Sequence, residues 1–276
     1  MVLIAESSVS SSSVLVFIPM YNCAPQIGRV LAQLRRPEVT ILIDGVVCID
    51  NRSQDETVEN ARTALEDNPV SQRWLLRNDE NYGLGGSHKV AIDFARDKGF
   101  SYLIVLHGDD QGDIGDLIPH LQSAAHEATD FLLGARFMKG SRLIGYSRLR
   151  TALNKLINVV FSALVHKPVH DIGSGLNLFR VRAFADGFER KFADDLTFNL
   201  YLVFGIAAKG LRMTFFPLSW REDDQVSNAR LARISLRVLR LLAARILRAG
   251  DFLRDEHRDV PRAAYPSTIL HAWGPE

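Results

Sequence analysis

Residues 103–117 read LIVLHGDDQGDIGDL, in which a run of aliphatic side chains ends in a dense group of acids. The polar residues after the run include Asp109, Asp110, Gln111, Asp113 and Asp116. Carboxylate and amide oxygens are the ligands that Mg²⁺ and Mn²⁺ prefer, and these cations often complete their shells with water and substrate phosphates. The stretch therefore predicts a divalent-cation site that receives a phosphorylated substrate.

The acids also have other interpretations. Asp113 and Asp116 precede LIPHL, so either of them could cap the helix that follows. The whole stretch could be a solvated acidic turn without a bound ion. Its position after a strand favours the cation site, because ligands of open α/β sheets bind at the carboxyl ends of the strands.

Two further segments have the residue types of a nucleotide site. Asp50 ends the aliphatic run DGVVCID, and its carboxylate could hydrogen-bond a base or a ribose; an Asx turn is the alternative. The segment YGLGGS resembles a phosphate-binding turn. Gly83 and Gly85 would permit a backbone turn with positive φ, and Gly86 would permit close helix packing.

Histidines and arginines supply the remaining candidates. His88, His107 and His170 could be acid–base groups, although most single histidines are structural. The segment SWREDDQVSNAR places Arg221 and Arg230 in a loop that could close over a diphosphate and neutralise the charge of a leaving group. The alternative is a solvated linker to a terminal helix.

The elements that must position these residues alternate between strand and helix. Apolar runs predict strands, and apolar residues at helical spacing predict helices. The predicted strands are 14–19, 44–50, 74–78, 102–110, 131–137, 171–180 and 211–220, and the predicted helices are 25–36, 53–67, 82–99, 149–165 and 194–210. Ser53 is the predicted N-cap of its helix, with Glu56 three residues later. This order predicts an α/β fold with a mostly parallel sheet flanked by helices.

Composition places the chain among ordinary globular proteins. It has 276 residues, of which 47% are hydrophobic and 24% charged, and a formal net charge of +1 that gives no general attraction for nucleic acid. Cys23 and Cys48 lack metal-ligand spacing, which favours a reducing cytosol. The N-terminus does not resemble a signal peptide, and no apolar run reaches the ~18 residues of a membrane-spanning helix. We therefore expect a cytoplasmic location, with peripheral membrane contact as an option.

The chain divides into three predicted parts. Residues 1–13 are a serine-rich leader that is expected to be disordered, and 14–220 form the catalytic domain. Residues 221–276 form a closing loop and a basic amphipathic helical tail. The tail carries arginines and apolar residues at helical spacing: Arg230, Arg233, Arg237, Arg240 and Arg248 beside Leu231, Ile234, Val238 and Leu241. Such a helix could lie on a membrane surface, pack on the domain, or form a homodimer contact.

In this order, the motifs resemble those of family 2 glycosyltransferases of the GT-A fold. The closest branch is the dolichol-phosphate mannosyltransferase-like, or polyprenyl-phosphate glycosyltransferase, branch, and the resemblance covers residues 14–230. VFIPMYNCAPQI and VVCIDNRSQDET resemble the first two motifs, although Cys23 and Asn51 stand where acids are usual. HGDDQGD is similar to the metal motif, in which Asp109 and Gln111 match and His107 replaces the first acid.

The resemblance implies a role for each matched residue. GARF places Arg136 where the family contacts the acceptor phosphate, DIGSGLNLF places Ser174 in the acceptor turn, and WREDDQVSNARL matches the diphosphate-closing loop. The implied cation is Mg²⁺ or Mn²⁺, with metal ligands Asp109 and Gln111. The predicted nucleotide-sugar site comprises Pro19, Tyr21, Asn22, Asp50, Gly83, Gly85, Asp109, Arg221 and Ser227, and the acceptor site comprises Arg136, Arg148 and Ser174.

The predicted catalytic residues depend on which acceptor the enzyme uses. A polyprenyl phosphate arrives ionised and needs cations, which Arg136 with Arg148 or Arg150 could supply. A hydroxyl acceptor needs a general base, for which Asp195 is the candidate. We expect a metal-dependent inverting hexosyltransferase that uses a UDP- or GDP-sugar, with Asp195 and Arg221 as catalytic residues and polyprenyl phosphate slightly favoured. The alternatives are transfer to a hydroxyl, a nucleotidyltransferase, and a sugar-nucleotide-binding pseudoenzyme.

Overall fold

The computed structural model describes residues 12–222 and 251–275. The strands in these residues are β1 (Val14–Met20), β2 (Gly45–Asp50), β3 (Gln72–Asn78), β4 (Tyr102–Leu106), β5 (Phe131–Ala135), β6 (Arg142–Ile144), β7 (Leu176–Arg180), β8 (Met213–Pro217), β9 (Ser219–Arg221) and β10 (Ser267–Trp273). The helices in this part of the chain are α1 (Ala24–Gln33), α2 (Pro37–Thr40), α3 (Thr57–Glu66), α4 (Gly83–Asp97), α5 (Ile118–Gln122), α6 (Arg148–Val165) and α7 (Phe198–Ala208).

Eight strands form one sheet in the order β10-β3-β2-β1-β4-β7-β5-β8. The pairs β3–β2, β2–β1, β1–β4 and β5–β8 are parallel, whereas β10 and β7 run antiparallel to their neighbours. Met20 pairs with Asp50, and Phe17 pairs with Val105. The carboxyl ends of β1, β2 and β4 therefore meet at one edge, which confirms the predicted mostly parallel sheet and the place of its polar clusters.

Alternate residues of the central strands enter two separate cores because successive side chains of a strand point to opposite faces. Leu15 and Phe17 belong to the core that α4, α6 and α7 cover, whereas Val16 and Ile18 belong to the core that α1, α3 and α5 cover. All seven residues of β1 are buried. A strand that helices cover on both faces is continuously apolar, and this explains why the sequence of β1 shows no polar alternation.

Several predicted boundaries were wrong. The helix predicted from residue 53 begins at Thr57, and Ser53 does not cap it; the Ser53 hydroxyl instead accepts the N–H of Asn22 at 2.9 Å. The strand predicted over 211–220 divides into β8 and β9, which belong to different sheets. The helix predicted from residue 194 begins at Phe198 after a turn.

The last strand was not anticipated from the sequence. β10 adds to the main sheet beside β3, so residues 267–273 are part of that sheet. Ser227, Arg230 and the predicted tail helix lie outside the described residues, as do residues 1–11 of the predicted leader. Among the helices that the structure describes, none is long and apolar enough to cross a membrane.

Candidate active site

The acidic turn after β4 lies at the carboxyl edge of the sheet. Burial, with a smaller contribution from the neighbouring charge of Asp110, raises the pKa of Asp109 to about 6. One carboxylate oxygen of Asp109 accepts the N–H of Gln111 at 3.2 Å. The carbonyl oxygen of Gln111 accepts the N–H of Arg221 from β9 at 2.9 Å, so the turn and this strand are joined.

The other three acids of the turn have partners within the protein. Asp110 accepts hydrogen bonds from Arg29 Nε at 2.7 Å and Arg221 Nη2 at 2.6 Å. Asp113 caps a short 3-10 helix through the N–H of Gly115 at 2.8 Å, and its carboxylate also pairs with Arg36 at 2.7 Å. Asp116 accepts the N–H of Ser219 at the start of β9. These acids stabilise the turn and its attachments.

Asp109 and Gln111 remain as the predicted cation ligands. Within residues 12–222 and 251–275, no group of three or more His, Cys, Asp or Glu side chains is arranged to hold a metal ion. One carboxylate and one amide fit a Mg²⁺ or Mn²⁺ that takes its other ligands from water and substrate phosphates. The residues present therefore fit a cation that binds together with a diphosphate.

The loop after β1 brings Pro19, Tyr21 and Asn22 to the same edge. The carbonyl oxygen of Pro19 accepts the N–H of Gly108 at 3.2 Å, which links this loop to the acidic turn. Asn22 has a φ of +49°, and its Oδ1 accepts the N–H of Gln54 at 2.8 Å. Tyr21 is 46% exposed, so its ring is accessible to a planar base.

Asp50 is fully buried, and both of its oxygens have protein partners. Oδ1 accepts the N–H of Ser53 at 3.1 Å, and Oδ2 accepts Arg77 Nε at 2.9 Å. The first contact spans three residues, one more than an Asx turn, and it fixes the Asp50 carboxylate against the loop that follows β2. Asn51 accepts the N–H of Tyr82 at 2.9 Å, so an amide connects β2 to the glycine turn where the family usually has an acid.

The glycines of YGLGGS pack against the backbone before α7. Gly83 has a φ of +75°, and a Cβ there would lie 2.4 Å from the carbonyl oxygen of Asp194. A Cβ at Gly85 would lie 2.4 Å from the carbonyl oxygen of Ala193, and the N–H of Gly86 donates to Asp194 at 3.2 Å. This close approach accounts for Gly83 and Gly85 without a bound phosphate.

A buried lysine holds the same segment. Lys89 Nζ donates to the carbonyl oxygen of Phe192 at 2.6 Å and to Asp194 Oδ1 at 2.7 Å. Burial lowers its pKa to about 8. Tyr265, from the segment before β10, also donates to Asp194 Oδ1 at 2.7 Å. Sequence reasoning missed Lys89 and Tyr265, because nothing local marks a lysine in a helix as buried.

Asp195 follows this anchored aspartate. Its Oδ1 accepts the N–H and the hydroxyl of Thr197 at 2.9 and 2.5 Å. The carboxylate is partly exposed at the N-terminal end of α7. The structure therefore places the candidate base in a fixed turn beside the glycine-rich segment.

Arg136 is engaged in an ion pair. Its Nε and Nη2 bind the two oxygens of Asp171 at 2.7 and 2.9 Å, and the side chains of Arg136 and Asp171 are 11% and 1% exposed. The Asp171 charge keeps the pKa of Arg136 above its usual value despite burial. Ser174 is buried and lines a small pocket with Asp171 and Asn199. Arg148 is exposed at the start of α6.

The two histidines nearest the site are structural in character. Burial lowers the pKa of His88 to about 3 and that of His107 to about 4, so both rings are neutral at pH 7. Their ring centroids lie 6.3 Å apart. His170, the third candidate, is exposed and contacts Phe215 edge to face. A neutral ring at position 107 supplies no negative charge to a cation.

Comparison with known proteins identifies the family of the chain. The model of the family described as Glycosyl transferase family 2 matches residues 15–188. Comparison with curated protein sequences gives no match.

Solved structures of the same fold include two enzymes. Glucosyl-3-phosphoglycerate synthase from Mycobacterium tuberculosis in complex with UDP is 16% identical, with a TM-score of 0.62, over 86% of this chain and 80% of that one. The complex of that enzyme with Mn²⁺, UDP and glucosyl-3-phosphoglycerate is 14% identical, with a TM-score of 0.62, over 96% and 91%. Mannosyl-3-phosphoglycerate synthase from Rubrobacter xylanophilus is 17% identical, with a TM-score of 0.60, over 93% and 78%.

Proposed function

Because the chain belongs to glycosyl transferase family 2 and is a glycosyltransferase, we propose that it transfers a hexose from a UDP- or GDP-sugar with inversion and with a divalent cation. The observation that carries this proposal is the junction of the acidic turn with β9. There Asp109 and Gln111 lie beside Arg221, whose N–H bonds Gln111 at 2.9 Å. A site of this kind combines ligands for a cation with a positive side chain for phosphate.

Each residue at the junction has a role in departure of the nucleoside diphosphate. A cation bound here supplies charge neutralisation to the diphosphate. Asp109 and Gln111 hold it through oxygen atoms, and Arg221 adds a guanidinium that binds phosphate oxygens. Tyr21 and Asn22 contact the nucleotide at the same edge. The acceptor oxygen attacks the anomeric carbon from the face opposite the leaving group, which inverts the configuration.

We propose a polyprenyl phosphate as the acceptor, as in the dolichol-phosphate branch of the family. The supporting observation is the outer face of α6, where Leu149, Leu153, Leu156 and Val159 are 52–69% exposed. No acid occurs in α6, and Arg148 and Arg150 lie at its first turn. An exposed apolar face with basic flanks suits contact with an anionic membrane surface. This contact would make the enzyme peripheral at a membrane.

A hydroxyl acceptor is the second candidate. The supporting observations are the fixed, partly exposed carboxylate of Asp195 and the two similar synthases, which are named for products with a sugar on 3-phosphoglycerate. Such an acceptor must lose a proton, and Asp195 would accept it. Asp195→Asn separates the candidates: activity should stay within about threefold for a phosphate acceptor and fall by about a hundredfold or more for a hydroxyl. Transfer rates with a polyprenyl phosphate and with 3-phosphoglycerate are the measurement.

The sugar-transfer reaction itself is tested by incubating the protein with labelled UDP- and GDP-sugars, Mn²⁺ and each candidate acceptor. A glycosyltransferase releases a nucleoside diphosphate, a nucleotidyltransferase releases pyrophosphate, and a pseudoenzyme binds the donor without turnover. Asp109→Ala should abolish Mn²⁺-dependent donor binding and leave the fold intact, as measured by calorimetry and circular dichroism. Unchanged donor affinity in the presence of Mn²⁺ would contradict the ligand assignment.

A further inference from the structure

Asp110 lies between the two predicted cation ligands, yet its side chain connects the turn to other elements. Its carboxylate accepts Arg29 Nε at 2.7 Å and Gln33 Nε2 at 3.2 Å, both from α1, and Arg221 Nη2 at 2.6 Å from β9. The Asp110 side chain is 6% exposed. A buried carboxylate with three donors from two distant elements is fixed in direction.

The backbone of β9 is also registered against this turn. The N–H of Arg221 donates to the carbonyl oxygen of Gln111 at 2.9 Å, and Gly112 forms an antiparallel bridge with Trp220. These contacts place the Cα of Arg221. Its guanidinium is oriented by the Asp110 carboxylate at 2.6 Å and by the Asp110 carbonyl oxygen at 3.4 Å, so the side chain has less rotamer freedom to lose when a ligand binds.

The two guanidinium groups lie on the outer side of this ion pair. They share the one carboxylate of Asp110. Arg29 and Arg221 are 49% and 47% exposed, whereas Asp110 is buried. An incoming diphosphate therefore meets the cationic side of the ion pair and not the carboxylate. The Asp110 backbone has a φ of +59°, a conformation that aspartate tolerates better than most residues.

We propose that Asp110 is a positioning residue that holds the Arg221 guanidinium beside the cation turn, ready for the donor diphosphate. This inference rests on the proposed function, since it takes Arg221 as a phosphate ligand. Asp110 acts only through Arg221 and does not itself contact the cation or the donor. An arginine held in place before binding gives up less conformational entropy, so the loss of Asp110 should appear as weaker donor binding.

A double-mutant cycle tests the link between Asp110 and Arg221. The affinities of UDP and GDP, each with Mn²⁺, are measured by calorimetry for the wild type, Asp110→Asn, Arg221→Ala and the double variant. Asp110→Asn should weaken nucleotide binding by about tenfold, as expected for loss of a charge-assisted contact. In the Arg221→Ala background the same substitution should change affinity by less than about twofold.

Two further variants separate positioning from support of the backbone. Asp110→Gly accepts the positive φ without strain and removes the carboxylate, so it should weaken binding as much as Asp110→Asn. Asp113→Asn removes another acid of the same turn, one that pairs with Arg36, and should leave nucleotide affinity unchanged. Circular dichroism checks that each variant is folded.

The outcomes are distinct. Additive losses for Asp110→Asn and Arg221→Ala, wild-type affinity in Asp110→Gly, or an equal loss in Asp113→Asn would each overturn the positioning role. In those cases the wild type still binds nucleotide, and the proposed function stands. A wild type that binds neither UDP nor GDP with Mn²⁺ would overturn the proposed function itself, and the role of Asp110 with it.

Discussion

Replacement of Arg136 decides whether this arginine binds the acceptor substrate or only pairs with a buried acid. Arg136→Met removes the guanidinium that binds both oxygens of Asp171, whose side chain is 1% exposed. Loss of one member of a buried ion pair typically costs about 3–5 kcal/mol, because the other charge stays buried. The Asp171 carboxylate still accepts hydrogen bonds from the backbone N–H groups of position 136 and Gly173, which lie at 2.9 and 3.0 Å. We therefore expect a loss of unfolding free energy at the lower end of this range, about 3 kcal/mol.

The matched variant removes both charges. Arg136→Met combined with Asp171→Asn should recover part of the lost stability, because the amide is neutral and its oxygen can still accept a backbone N–H. Urea unfolding gives the two free energies, and transfer to a polyprenyl phosphate gives the activity. If Arg136 is only structural, the double variant should also recover activity; if it binds the acceptor, activity should remain low while stability returns. A loss below about 1 kcal/mol in Arg136→Met would refute the reasoning from burial.

Two further substitutions test the titration of buried groups and the composition of the cation site. Burial raises the pKa of Glu189 from 4.5 to about 7. A pKa change of that size corresponds to about 3 kcal/mol in the free energy of unfolding. Because the folded state binds the proton more tightly, the wild type should lose this stability as pH rises from about 4.5 to 7. Glu189→Gln should not lose it, and urea unfolding at pH 4.5 and 8 measures the difference; a constant difference would contradict the assignment. His107→Asp should raise Mn²⁺ affinity in the presence of UDP by about tenfold, because it adds a carboxylate at the position where the ring is neutral. His107→Asn is its control, and equal affinities in a Mn²⁺ titration of the two variants would argue against a cation at this turn.

The sequence was sufficient for the parts of the fold that local pattern determines. The apolar runs of β1, β2 and β4 could be identified because buried parallel strands carry no polar alternation. Their carboxyl ends then located the polar clusters at one edge of the sheet. β10 could not be identified, because its pairing partner β3 lies about two hundred residues earlier and an edge strand needs little apolar surface. The antiparallel insertion of β7 between β4 and β5 is likewise a property of the topology alone.

Partners of charged side chains were the least predictable part of the site. Lys89 has the ordinary spacing of a helical lysine, and only the approach of Asp194 and Tyr265 makes it buried. Arg29 lies 81 residues from Asp110, and Arg221 lies 111 residues from it. Such contacts depend on how the elements pack, which spacing along the chain does not encode.

The partners of the acidic turn also explain why one acid remains for the cation. A carboxylate that is paired with arginine or capping a helix must give up these contacts before it can bind a metal. Asp110 and Asp113 each pair with an arginine, and Asp116 binds the backbone of β9. Within residues 12–222 and 251–275, the Asp109 carboxylate accepts a hydrogen bond from one backbone N–H, that of Gln111. Of the four acids, Asp109 therefore has the fewest contacts to give up when it binds a cation. Its pKa of about 6 leaves it ionised at neutral pH. Asp110 holds the Arg221 guanidinium beside it, whereas Asp113 and Asp116 attach the turn to Arg36 and to the start of β9, so the acid-rich motif serves the cation with one ligand and three supports.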